Sequence, residues 1–216
     1  MSFEIQSQTK YIYEIRVRLD MKITLKQIIK DYIELSRYVA LGSLDGILTV
    51  LSISLTAAVV GITGGTTVNP LTVGLTGLSG GIAIALSNGF GSYVGEQAEE
   101  GKVIRELENK MLLEERTLDD TLIHQQAKYR VFMSMLTHGS ASFMGSFIPS
   151  IPFFIFSDIY TALTATLIVC FSMMIILGCY LGRISKESMT KTTLKIISVG
   201  VLIVIISYLM GGGHGA

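Results

Sequence analysis

Four stretches of this chain contain no Asp, Glu, Lys or Arg: residues 46–95, 131–157, 159–182 and 196–213. Such side chains make up about a quarter of an ordinary globular domain. Here they are 16% of the residues, half of the chain is apolar, and mean hydropathy is +0.55. A hydrocarbon core about 30 Å thick is crossed by about 20 helical residues. The first stretch is too long for one crossing and contains its own break at 61–70, GITGGTTVNP. It therefore predicts two spans. The fold expected is an all-α integral membrane protein with five transmembrane helices.

Basic residues orient that frame. Of the 17 Lys and Arg, all fall before Asp45, between Glu96 and Arg130, or between Arg183 and Lys195. Those segments lie on one side of a five-span chain, which predicts a cytoplasmic N-terminus and an outer C-terminus. The expected partner surface is membrane lipid, with no nucleic acid. Cys170 and Cys179 fall nine positions apart on opposite faces of one helix. They cannot pair with each other, and both are expected to be buried packing residues. Residues 1–37 are too polar for a cleavable signal peptide.

The chain divides into a cytoplasmic N-terminal segment (1–37), helices one and two (38–95), an acidic cytoplasmic helical segment (96–130) and helices three to five (131–212). Within the first, residues 11–19 alternate as in a strand. From Lys22 to Tyr38 the pattern is that of a basic amphipathic helix. It lies either in the membrane interface or against the protein itself. Gly42/Gly46, Gly77/Gly81, Gly91/Gly95 and Gly178/Gly182 repeat at four residues. That spacing lets helix backbones approach closely, within or between subunits. Pro149 and Pro152 predict a kink or break at the end of the third span, Asp158 a tight turn into the fourth, and Gly211 the start of an exposed tail.

Several polar residues stand out against this background. Asp45 falls about two turns into the first span, roughly 10 Å deep. A carboxylate there costs about 2.5–3.5 kcal/mol and marks an ion or proton pathway; alternatively the helix starts later and Asp45 is its N-cap. Asn88 and Ser92 share one face of the second span. They are hard, weak donors for a cation, or hydrogen-bond a neighbouring helix. His138, with Met133, Met135 and Met144 nearby, suits a first-row metal or serves as core. Glu96/Glu100, Glu99/Glu106 and Glu108/Glu115 place carboxylates in rows. Such rows either bind cations or form a solvated face with internal pairs such as Glu106 with Lys110. No nucleotide loop, Cys-x-x-Cys, His-Glu-x-x-His or Gly-x-Ser-x-Gly motif occurs. Neither an ATP-driven pump nor an enzyme is expected.

Five segments carry a resemblance. Residues 44–52 (LDGILTVLS), 85–96 (ALSNGFGSYVGE), 142–152 (SFMGSFIPSIP), 178–183 (GCYLGR) and 206–211 (ISYLMG) resemble, in order, the spans of the vacuolar iron transporter family. The resemblance implies a homodimeric secondary transporter that moves Fe²⁺ or Mn²⁺ out of the cytosol in exchange for protons, with no cofactor beyond the transported ion. It implies a path lined by Asp45, Asn88 and Ser92, and a metal-collecting cytoplasmic region at Glu96, Glu99, Glu100, Glu106, Glu108, Met133 and Met135. The membrane would be the cell membrane in a prokaryote and a vacuolar-type membrane in a eukaryote. Two positions depart from the family pattern. Asn88 stands where a Met is usual and Ser92 where a Glu is usual. The missing thioether and carboxylate tilt the site toward a harder ion, or toward a non-transporting scaffold built on the same fold.

Overall fold

The computed structural model describes residues 35–65, 67–114, 116–119 and 121–212; the account below concerns the compact unit that begins at Arg37. The expected strand at 11–19 and the amphipathic helix at 22–38 lie outside the described residues, apart from the last positions of the latter. Among the described residues all regular structure is helical. The helices are α1 (Leu35–Thr63), α2 (Pro70–Lys110), α3 (Leu122–Ser150), α4 (Pro152–Ile155), α5 (Ile159–Ile184) and α6 (Met189–Gly212).

Local chemistry sets most of these boundaries. Helix α1 ends where Gly65 takes a left-handed conformation (φ +65°), which glycine adopts without a Cβ clash. Helix α2 starts on Asn69, whose side chain accepts from the Leu71 N–H at 2.9 Å, with Pro70 in the first turn. The break expected at the two prolines falls at Ile151, between α3 and α4. The Pro149 carbonyl, orphaned by that helix end, accepts from Thr166 of α5 at 3.1 Å. Asp158 caps α5, and the Thr161 hydroxyl and N–H hold its carboxyl below the usual carboxylate range.

Four helices, α1, α2, α5 and α6, are long and apolar enough to cross a membrane. Helix α3 has the length but not the hydropathy, because its buried face is built from Ser134, Ser142, Ser146 and Ser150 rather than large apolar residues. The second helix also runs further than expected. It continues through Glu96 to Lys110 as one 41-residue rod, because no Gly-Pro or Asn-Pro stop interrupts it near 96.

Helix α1 is the hub. Half of its most apolar window is buried, against 33% for α2 and α5 and 22% for α6. Toward α2 and α3 it packs through small residues. A Cβ on Gly42 would lie 2.6 Å from the His138 carbonyl, and one on Gly46 would overlap the Ser142 carbonyl. Gly81 is equally closed against Ser146. On its other side Ile47 and Leu51 join Cys170, Met174 and Ile196 in an apolar cluster. Gly178 and Gly182 meet Thr193 and Met189 of α6. These contacts assign three of the four glycine pairs to packing within the chain, whereas a Cβ on Gly91 or Gly95 would meet nothing within 4 Å among the described residues of other elements.

Two expectations are corrected. Cys170 is buried but Cys179 is exposed, lying at the edge of the α5–α6 contact, where its Sγ is 3.7 Å from Thr193 Oγ1 of α6. Gly211 does not begin a loose tail: it is helical and packs on Val59 of α1. Residues 213–216 lie outside the described residues.

Candidate functional site

The glycine contacts fix a register in which α1 and α3 run parallel and α2 antiparallel to both. Polar side chains seven residues apart on α1 and four apart on α2 and α3 then meet at matching heights. Helix α1 brings Tyr38 and Asp45, α2 brings Glu96, Ser92 and Asn88, and α3 brings His138 and Ser142.

At the deepest level is Asp45. It lies ten residues into α1, which excludes the N-cap alternative. Its Oδ2 accepts from Asn88 Nδ2 at 2.9 Å, and the same nitrogen donates to Ser142 Oγ at 2.9 Å. Both amide hydrogens of Asn88 are thus used, leaving Oδ1 as its open acceptor. Ser142 in turn donates to the His138 carbonyl at 3.0 Å. One helical turn along α2, about 6 Å away, Ser92 Oγ lies 2.5 Å from His138 Nδ1. The other imidazole nitrogen, Nε2, is buried and has no hydrogen-bond partner among the described residues. The His138 ring tilts against Tyr38, with centroids 5.3 Å apart. A further turn along, Tyr38 donates to Glu96, and Arg37 approaches Glu96 at 3.8 Å.

This seam borders an open groove of about 500 Å³, lined by Tyr38, Asn88, Ser92, Glu96, Glu99 and His138 among others. Glu99 is exposed at the groove, and Glu96 is mostly covered. The arrangement offers oxygen donors of three kinds (carboxylate, amide and hydroxyl) and one imidazole nitrogen. Among the described residues no three His, Cys, Asp or Glu side chains converge as a metal cluster.

The structure unites Asp45, Asn88, Ser92, Glu96 and Glu99 around one seam and separates the remaining sequence candidates from it. Glu100 makes a two-pronged ion pair with Arg130, both contacts at 2.6 Å. Glu108 is buried and accepts from the Leu118 N–H at 3.0 Å, holding the 111–121 turn against Ile104 and Ala127. Glu106 faces back to Lys102 at 4.0 Å, so the expected pairing with Lys110 does not form. Met133 and Met135 are half-buried on α3, with Met135 against Gly89. A second cavity of about 1010 Å³ lies between this α2 extension and the start of α3, with Glu100, Glu108 and Asp119 facing Arg105, Arg116 and Lys128.

Tyr38 and Ser142 belong to the seam through their hydrogen bonds to Glu96 and Asn88, and sequence reasoning missed both. Their only local signal is a four-residue step, Tyr38 before Gly42 and Ser142 after His138.

The sequence matches the model of the VIT family over residues 105–212, half of the chain. It is also similar to an uncharacterised protein of Methanocaldococcus jannaschii, MJ0645. The two are 29% identical over 175 residues, which is 81% of this chain and 87% of the archaeal one.

Proposed function

The chain belongs to the VIT family, and from that premise we propose that it is a secondary transporter moving a divalent transition metal, Fe²⁺ or Mn²⁺, out of the cytosol in exchange for protons. Membership of a transporter family, together with four apolar helices, makes it a multi-pass integral membrane protein and supports a transport role. In this reading α3 is the fifth span. It packs on α2 along its length, so its serines face protein rather than lipid. The distribution of basic residues favours a cytoplasmic N-terminus and α2 extension.

The observation that carries the proposal is Asp45. A carboxylate ten residues into an apolar helix, accepting from Asn88 of α2, which also donates to Ser142 of α3, is expensive to place there and has no packing role that an apolar residue could not fill. The family match begins at residue 105, so the assignment of Asp45 rests on this geometry and on the resemblance of its surrounding segment. Asp45 serves as the in-membrane ligand, with Asn88 and Ser92 beside it and Glu96 and Glu99 at the cytoplasmic mouth. One carboxylate at that depth is a sparse site for a divalent cation. A homodimer that brought two Asp45 side chains together would double its charge. The test is Mn²⁺ and Fe²⁺ flux into proteoliposomes with and without a pH gradient. Flux that a gradient accelerates supports the proposal; no flux of either metal removes it.

A second reading, a non-transporting scaffold, is favoured by one observation. The carboxylates of the extension are largely committed, Glu100 to Arg130 and Glu108 to the 111–121 turn. Under that reading, overexpression in metal excess leaves cellular metal content unchanged.

A further inference from the structure

We propose that His138 contacts the transported cation directly through Nε2, so that the seam is a mixed nitrogen–oxygen site. The proposal rests on the transport reading above. It starts from a buried atom that the packing leaves unsatisfied: His138 Nε2 has no partner among the described residues. Either tautomer leaves this atom unpaired. If Nδ1–H donates to Ser92, Nε2 keeps a bare lone pair; if Ser92 donates to Nδ1, an N–H is stranded. An unmet buried polar atom costs about 1–3 kcal/mol, and native structures keep few without a reason.

The surroundings fit the first tautomer and a metal. An imidazole that binds a metal through one nitrogen characteristically donates from the other to an oxygen, which fixes ring orientation and basicity. Ser92 supplies that oxygen at 2.5 Å. The ring is also positioned from the other side. A Cβ on Gly42 would come within 2.9 Å of His138 Cδ2, so only glycine there lets the imidazole sit against α1. Nearby, the open Oδ1 of Asn88 and the Glu96 carboxylate border the same groove. Imidazole nitrogen with carboxylate and amide oxygens suits borderline divalent ions such as Fe²⁺ and Mn²⁺, and disfavours Ca²⁺ and Mg²⁺, which take oxygen ligands.

The test uses the full-length protein in nanodiscs with Mn²⁺ alone as probe. Electron spin-echo modulation should show a directly coordinated ¹⁴N that changes to the ¹⁵N pattern when the protein is labelled with ¹⁵N-histidine. The coupling should persist in a His124→Gln/His214→Gln variant and vanish in His138→Gln, with Mn²⁺ binding about tenfold weaker or more. Ser92→Ala should weaken binding to a similar degree, and Ser92→Thr, which keeps the hydroxyl, should restore it. Bound Mn²⁺ without nitrogen coupling in the wild type overturns the proposal, as does coupling that survives His138→Gln. If Mn²⁺ flux persists in either case, the transport reading stands without His138. If the wild type neither binds nor moves Mn²⁺, both fall together. The labelling arm needs no variant of His138, so a misfolded variant does not protect the idea.

Discussion

One face of α1 carries Gly42, Gly46, Val50 and Ser54 toward α2 and α3; the adjoining face carries Ile47 and Leu51 toward Cys170, Met174 and Ile196. On the first side the backbones approach until a methyl group has no room, and hydroxyl, amide and carboxylate groups bond across the gap. On the second, ordinary apolar side chains interlock. Lipid gives no hydrophobic drive for helices to associate, so close approach and polar contacts must hold the first side together. That same closeness brings Asp45, Asn88, Ser92 and His138 within reach of one another. The contrast teaches that the tightly packed face is also the chemical one, and that the apolar face serves as its support.

The contrast can be broken in several ways. The largest effect is expected from Gly46→Leu, where the Ser142 carbonyl and the Gly145 backbone leave no space. Little folded protein should survive detergent extraction, as read by size-exclusion chromatography. A well-behaved Gly46→Leu protein would show that the seam is looser than described. On the supporting side, Met174 is fully buried, and Met174→Ala should cost about 2–5 kcal/mol through the cavity it leaves. A lower melting temperature with unchanged Mn²⁺ flux per folded molecule is the expected pattern; loss of flux at full stability would tie the α5–α6 side to the chemistry. Next in size is Arg130→Ala, which strands the largely covered Glu100 carboxylate. About 1–3 kcal/mol of stability should go, and Glu100→Gln in the same chain should recover part of it. The smallest change runs the other way. Nothing among the described residues lies within 4 Å of a Cβ on Gly101, so Gly101→Ala in the α2 extension should stabilise by about 0.5–1 kcal/mol. Destabilisation there would mean that a partner covers this surface.

Much of the helical frame was legible in the sequence, because each charge-free stretch has its own local stop. Gly65, Asn69 and Pro70 end α1 and start α2, and Asp158 starts α5, each by a short-range hydrogen bond or conformational preference. Helix α3 is the harder case. It is free of Asp, Glu, Lys and Arg over 131–150, yet its serines lower its hydropathy, and only its partner α2 explains them. The seam was half legible. Helical spacing put Asn88 and Ser92 on one face, and depth singled out Asp45. The contributions of Tyr38, His138 and Ser142 depend on which glycine meets which backbone, a register that no local pattern encodes. The same holds for Glu100 with Arg130 and Glu108 with Leu118. A row of carboxylates reads as a cation site until its long-range partners are known. Cys179 was misplaced for a related reason: a mostly apolar helix does not reveal which face meets protein and which meets lipid.

The central claim is that the polar face of α1 carries the ion, and Asp45 is its one carboxylate. The direct measurement is Mn²⁺ uptake by proteoliposomes containing the wild type or Asp45→Ala, with folded protein matched by melting temperature. Uptake should fall to background in the variant while the melt is retained or raised, since a half-buried carboxylate that is costly within an apolar helix is gone. Undiminished uptake by Asp45→Ala would contradict it.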